Sequence, residues 1–516
     1  MKYALWVAAF LLAMFQLQPA LAQGNAENLV KQAVAAEGGA DALRGLQGLA
    51  IKGDAKFWEP GQSFAPDGEP RFLGNATFAI TWDLANGSAR IDWVRDQKYP
   101  DPIILKYVET LTPTLGYVTD EKGSQPMSGI REAAQLRELE RTSPGLLVKA
   151  LNDSKNVTDA GSQKLGARSL PAVSFADGGT TFIVLFDPKT HLPAAIRTRD
   201  DDNIHGDSNY DLVLGGWKAV KGAQIAESLS YRIGDVEVAK LDYSDVSANP
   251  AIAADTFAVP DAVKAAAKPV ATSNVPYQWV LRRLFLTRFT DTDNVFFPNG
   301  GGLKLVELAP NIQHAQTGTA NNLIIEMKDY LVVFDAPYGE LQSHAAIAAA
   351  KAKYPGKPIK YLILTHQHMD HTGGMRTYVA EGATVIVPAP DKAYFEKDVK
   401  APHTVVPDDL QKKPRTPEII EVKDQMTIKD DTTEIRLYFI TNPHVVGMLI
   451  ANVIAPNTNI VYVTDLISPR GPIERTEGTA AVGTFLRKNN ITGALIVGGH
   501  GTTVKQADMT EQLAAK

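Results

Sequence analysis

The chain of 516 residues contains no cysteine. That excludes disulfides, a lipidated cysteine at a cleavage site and thiolate ligands, so any bound metal must be held by His, Asp, Glu or water. Positive charge is in short supply as well: 52 Lys and Arg stand against 58 Asp and Glu, a net charge of −6. Such a balance offers no basic footprint for nucleic acid and no attraction to a membrane surface. Past the N-terminus, no apolar run reaches the about 18 residues of a membrane-crossing helix. Internal repeats and low-complexity tracts are missing too. What is present is ordinary globular material, 44% hydrophobic and 21% charged. The length suits two or more domains of about 100–200 residues each.

The first residues carry an address. Lys2 gives a positive start, Ala4 to Phe15 an apolar run, and Ala20-Leu21-Ala22 a small-residue cleavage pattern. The expectation is a secretory signal peptide over residues 1–22 and a mature chain from Gln23, with an uncleaved N-terminal anchor as the alternative. A periplasmic or secreted protein with no integral membrane segment after cleavage follows.

Residues 23–268 read as one β-rich α+β unit, mainly antiparallel. A short helix is expected over 28–42, closed by the Gly38-Gly39 pair or soon after it, then a strand over 49–58. Strands over 78–84 and 89–94 flank Asn86-Gly87, a hairpin signal because both turn residues tolerate positive φ. Further strands are expected over 181–186, 194–198, 225–233 and 236–243, and a helix over 131–152, interrupted near Ser143-Pro144. The segment from Gly38-Gly39 to Ala42-Leu43-Arg44 and the closing Tyr243 to Val246 and Phe257 to Pro260 resemble the periplasmic lipoprotein-carrier type of fold. That resemblance implies a curved open sheet around one or two helices, able to cradle an apolar ligand or to serve as a scaffold. Residues 269–302 read as a linker, within which Trp279 to Phe289, with Arg282, Arg283 and Arg288, suggests an amphipathic helix. From Leu303 the pattern changes to strands over 304–308, 322–327 and 330–334, a helix over 341–354 and a strand over 359–364.

The run Thr365-His366-Gln367-His368-Met369-Asp370-His371 places four potential metal ligands within six residues, directly after that last strand. Three imidazoles and a carboxylate so close together are costly to bury without a cation. Gly373 and Gly374 let the backbone turn close to whatever is bound. The same arrangement recurs downstream: His444 follows the strand over 436–440, Asp465 ends 460–464, and His500 ends 494–499. Asp335 ends the earlier strand over 331–334. Five strand ends thus offer ligand-type residues to loops that can share one cleft.

With these motifs in order over about residues 303–516, the C-terminal part resembles the metallo-β-lactamase-fold hydrolase superfamily. The resemblance implies an α+β chain whose C-terminal domain, residues 303–516, is an αβ/βα four-layer sandwich. It implies His366, His368 and His444 on one metal ion, Asp370, His371 and His500 on a second, and Asp465 bridging. Asp335 would support the site without binding metal, and Asp370 would be the proton-passing catalytic residue. Imidazole and carboxylate suit zinc, with iron or manganese as alternatives. Two divalent ions can share a water, lower its pKa towards about 7 and polarise the oxygen of an electrophile, so no protein nucleophile is needed.

Asp465 narrows the reaction. In the superfamily the β-lactamases carry Cys or Ser at the matching position, whereas a bridging carboxylate goes with thioesterase, lactonase, alkylsulfatase and phosphodiesterase branches. A basic surface and an inserted domain, expected of a nuclease, are not visible. Only 16 residues follow His500, too few for the basic helical tail of glyoxalase-type thioesterases. The expectation is an ester or lactone hydrolase acting on a small molecule. The alternatives are a β-lactamase, a sulfate- or phosphoester hydrolase, and, from another class, a periplasmic carrier of an apolar ligand with a structural metal centre. Tyr338 is read as packing or as a hydrogen-bond donor to substrate. His314 is placed in a loop bordering the cleft, at the surface or supporting the site rather than on the substrate, and His403 on an exposed loop or flap over it. His191, His205 and His344 are read as surface or capping residues.

Overall fold

The computed structural model describes residues 24–267, 303–317 and 319–514. The expected signal peptide, the linker and the segment from Trp279 to Phe289 lie outside the described residues. Two compact units result, and they are not contiguous in sequence. One contains Phe72–Asp200 and the residues around it in the N-terminal half. The other joins Glu59–Arg71 and Asp201–Asp207 to the C-terminal part.

The first unit is built on one 13-stranded sheet in which antiparallel pairing dominates. Strands follow one another outward from Gly48–Glu59 to Gly123–Pro126 on one arm, and back from Val236–Ala248 to Thr158–Leu165 on the other. The first and last strands, Gly48–Glu59 and Val236–Ala248, pair at its middle. The hairpin expected around Asn86-Gly87 joins Arg71–Asp83 to Ser88–Gln97; Gly87 takes φ 65°, and the Asp83 carboxylate accepts from the Asn86 N–H at 3.0 Å. The helix expected from residue 28 runs over 24–36 and closes at the Gly38-Gly39 pair, which adopts φ 108° and 90°; a separate short helix, Ala40–Arg44, follows. The interruption at Ser143-Pro144 separates Gly129–Thr142 from Leu146–Asn152, with Ser143 held extended before the proline.

Helix Gly129–Thr142 lies against both arms of that sheet. Arg131 is ion-paired with Glu109 on one arm, both fully buried, and Arg141 lies 4.5 Å over the Tyr210 ring on the other. A sheet that touches one helix from both arms must curve around it.

In the second unit, a seven-stranded and a six-stranded sheet pack face to face. Period-2 alternation sends Leu323, Ile325, Val332, Phe334 and Ile363 of the first sheet into the interface. Leu437, Leu449, Ala451, Val453, Ile460 and Tyr462 meet them from the second, each large side chain contributing about 1.5–3 kcal/mol. The opposite face of the second sheet buries Ile450, Val461 and Val463 against Val482, Phe485 and Leu486 of helix Glu477–Lys488. The first sheet is covered by Met375–Glu381, packed on strand Ile359–Ile363, and beside it by Glu340–Lys353. The order is helix, sheet, sheet, helix: the expected αβ/βα sandwich.

Strands Leu331–Phe334 and Ile359–Ile363 are parallel, so their carboxyl ends share one edge of the first sheet. In the second sheet Thr458–Thr464 and Leu495–Gly498 are parallel, and Glu434–Ile440, separated from Thr458–Thr464 by one antiparallel strand, runs the same way. Five carboxyl ends therefore carry the loops that build the site.

Candidate metal centre

Every ligand-type residue singled out in the sequence comes to this place. His366, His368, His444 and Asp465 form one group and Asp370, His371, Asp465 and His500 another, with the donor atoms of each group within 4.8 Å of one another. Asp465 belongs to both, one oxygen to each. Its Oδ2 lies 3.2 Å from His444 Nε2 and 3.9 Å from His366 Nε2, and its Oδ1 lies 2.7 Å from His371 Nε2 and 3.5 Å from His500 Nε2.

Three of these imidazoles have their outer nitrogens tied down. His371 Nδ1 donates to Asp335 Oδ2 at 2.9 Å, and His500 Nδ1 to the Thr319 carbonyl. His368 Nε2 donates to the Ser63 carbonyl at 2.9 Å. An acceptor on one ring nitrogen fixes the tautomer and leaves the other as a lone pair. Those lone pairs converge: His368 Nδ1 is 3.0 Å from His444 Nε2, and His371 Nε2 is 3.2 Å from His500 Nε2. His366 Nε2 is buried with no hydrogen-bond partner. Opposed lone pairs and an orphaned buried nitrogen need a proton or a cation between them. Three imidazoles with a carboxylate, and two imidazoles with two carboxylates, are donor sets that fit divalent ions such as zinc.

Without an ion, protons fill that role. Burial, then the neighbouring imidazoles, holds His366 and His368 far below the usual histidine value. Burial also opposes charge on His371, yet Asp465, Asp335 and Asp370 together raise it well above the ordinary range. His500 is raised to about 9, Asp465 and Asp370 outweighing its burial. Asp370 and Asp465 are pulled well below the usual carboxylate range, burial being outweighed by His371 and His500.

Asp335 stands behind the cluster and is fully buried. Its Oδ1 accepts from the Thr365 N–H and its Oδ2 from the Tyr462 hydroxyl, both at 2.9 Å, besides His371. Asp335 and Thr464 take φ 59° and 45°. Positive φ is an outlier for a β-branched threonine, and such strain gathers where a site needs a side chain re-aimed. Thr464 is held by Thr365, hydroxyl to hydroxyl at 3.0 Å. Gly373 and Gly374 have negative φ, so their role is space rather than an unusual turn. A Cβ there would collide with the Tyr338 carbonyl and the Ser343 hydroxyl.

Two expectations need correction. His314 sits in strand Ile312–Gln316 rather than in a loop, fully buried, with Nε2 donating to the Gly498 carbonyl at 3.2 Å. His403 is not exposed: it is 2% accessible and lies 2.8 Å from the Asp201 carboxylate, upstream in sequence but in the same unit. Tyr338 is buried, whereas His191, His205 and His344 are at the surface. Nothing in the sequence marks Ser63, Thr464 or Tyr462, whose residue types are too common to signal a site.

Residues 316–513 match the family described as the metallo-beta-lactamase superfamily. Similar solved structures include a metallo-beta-lactamase from Pontibacter korlensis, at 17% identity over 41% of this chain and 97% of that one, with a TM-score of 0.33. Another is a metallo-beta-lactamase from Hirschia baltica, at 18% over 41% and 96%, with a TM-score of 0.31. A third is a stereoselective inverting sec-alkylsulfatase from Pseudomonas sp., at 18% over 46% and 42%, with a TM-score of 0.31. Comparison with curated proteins finds no match. Residues 316–513 are thus a metallo-β-lactamase superfamily domain, and the chain that carries it is a metal-dependent hydrolase.

Proposed function

We propose that this is an exported hydrolase with two divalent ions, zinc in the first instance, that opens an ester or lactone bond in a small molecule. The observation that carries this reading is Asp465, whose two oxygens face two separate groups of imidazoles. When bound, two such ions supply Lewis acidity and lower the pKa of a water towards about 7. The chain's own residues do the rest. His371 and His500 keep their inner nitrogens turned to one side of Asp465, and His366, His368 and His444 to the other. Asp370 Oδ2, 3.4 Å from His500 Nε2, faces the same space and is placed to take the proton of the attacking water and pass it to the leaving oxygen. The expected export rests on the N-terminal address.

The test is hydrolysis of activated esters and lactones by mature protein with and without a chelator. Activity should disappear with the chelator and return with added divalent ion. Asp370→Ala should lower kcat by at least about 10²-fold with little change in the folded structure by circular dichroism. A metal-loaded protein inert towards ester, lactone, thioester, sulfate-ester, phosphodiester and β-lactam substrates would sink the proposal.

Loading should also be linked to protons. His500 is raised to about 9 in the metal-free centre and His371 is raised as well, so at pH 7 the pair holds proton charge that an incoming ion must displace. Apparent affinity should therefore fall as pH drops below about 9, by up to about tenfold per pH unit for each proton released. Titration calorimetry in buffers of different ionisation heat would read that release; identical heats in all buffers would contradict it.

A second reading, that the N-terminal unit holds an apolar molecule, draws support from one cavity. It is small, about 60 Å³, and is lined by Leu49, Ile51, Trp82, Leu229 and Tyr243 with Glu37 at its wall. Burial raises the Glu37 carboxyl to about 8, so it is uncharged at neutral pH. Native mass spectrometry showing no co-purifying apolar molecule would remove this reading.

A further inference from the structure

The connection between strands Gly48–Glu59 and Arg71–Asp83 belongs to the hydrolase unit and reaches its centre. It leaves the first strand through a short turn, Pro60–Gln62, in which the buried Glu59 carboxylate accepts from the Gly61 N–H at 2.7 Å. Gln62 is 2% accessible, and its Nε2 lies 2.5 Å from Asp370 Oδ1. The amide thus turns its N–H₂ end, a donor, to the carboxylate. The next residue offers its carbonyl to Gln367 Nε2 and to His368 Nε2, both at 2.9 Å. Arg71 closes the segment by donating from Nε to the Gln62 carbonyl at 2.5 Å and from Nη2 to the His444 carbonyl at 3.1 Å. Val446 donates to the Phe64 carbonyl at 2.9 Å. One upstream segment therefore grips both the 366–371 loop and the loop of His444, which come from different sheets.

We infer that Glu59–Arg71 is a strap that completes the metal centre, with Gln62 as the positioning residue for Asp370. The inference rests on the metallo-hydrolase reading above. A donor on Asp370 Oδ1 stops the carboxylate from rotating and keeps Oδ2 turned to His500. The Ser63 carbonyl does the same for His368 by fixing its tautomer. The strap does not touch the reacting atoms; it sets the aim of groups that do. Its tip is different in kind: Asp67 pairs with Lys397 at 3.0 Å in the open, and exposed pairs of this sort contribute little.

The experiment uses full-length protein and four forms: unaltered, Gln62→Met, Gln62→Glu and Asp67→Ala. Zinc affinity by chelator competition is read beside kcat and KM on an activated ester. Met keeps the volume of Gln and removes the donor, and Glu adds a second negative charge beside Asp370. Met should weaken the more labile zinc and lower kcat by about 10–100-fold with KM nearly unchanged. Glu should lose at least as much kcat as Met, and Asp67→Ala should match the unaltered protein in both readings. A segment that only packs would leave Met close to normal. If the unaltered protein binds zinc and hydrolyses ester while Gln62→Met is the same within twofold in both readings, the strap's role is overturned and the enzyme reading survives. If the unaltered protein binds no zinc, the enzyme reading itself falls and takes the strap with it.

Discussion

Asp465→Ala is expected to bring the metal content of the purified protein from two ions per chain to one or fewer and to lower kcat/KM by at least about 10³-fold. The size follows from position. Losing a neighbour that only orients a ligand costs about 10–100-fold, and losing one of several groups that stabilise developing charge costs about 10²–10³-fold. Asp465 serves both donor groups at once, so its loss should exceed either. The same carboxylate is among the main charges that hold His371 and His500 protonated in the metal-free centre. Metal analysis by mass spectrometry with steady-state kinetics checks this. Two ions and activity within tenfold of normal would show that Asp465 is not shared.

The largest effect on stability should come from Asp335→Ala. The substitution removes the acceptor of three buried donors, the Thr365 N–H, the His371 Nδ1–H and the Tyr462 hydroxyl. Breaking a buried charged network costs about 3–5 kcal/mol. Alanine at φ 59° adds roughly 1–2 kcal/mol more, since only Gly, Asn and Asp visit that region readily. At about 2–4 °C per kcal/mol for a domain of this size, the C-terminal unfolding transition should drop by roughly 8–28 °C. Scanning calorimetry reads that shift. A shift under about 3 °C would mean that water replaces the carboxylate.

The contrast between these residues and Gln62 shows what a sequence can carry. Asp335, Asp465 and His500 were legible because each ends a run of apolar residues that must be a buried strand, and a polar residue at such an end is conspicuous. The 366–371 run was legible because its ligands are neighbours in sequence. Gln62 lies in Glu59-Pro60-Gly61-Gln62-Ser63, which reads as a turn and nothing more. Its significance arises only when folding brings it to a residue 308 positions away. Asp201 and His403 meet in the same way, through tertiary structure that no local pattern announces. His314 was misplaced because Asn311, Gln313 and Gln316 give its neighbourhood the polarity of a loop. In the fold those groups find partners, Gln313 on the Tyr354 hydroxyl and His314 on Gly498, so the strand can be buried. The stop at Gly38-Gly39 was legible because paired glycines favour positive φ; the separate helix Ala40–Arg44 after it was not.

The claim that joins these results is that two ions share the carboxylate of Asp465. It is tested most directly by counting divalent ions per chain in the mature protein, by metal analysis of a preparation titrated to saturation with zinc. The account predicts two tightly bound ions in the unaltered protein, both removed by chelator together with ester hydrolysis. A saturating value of one ion, with full activity, would contradict it.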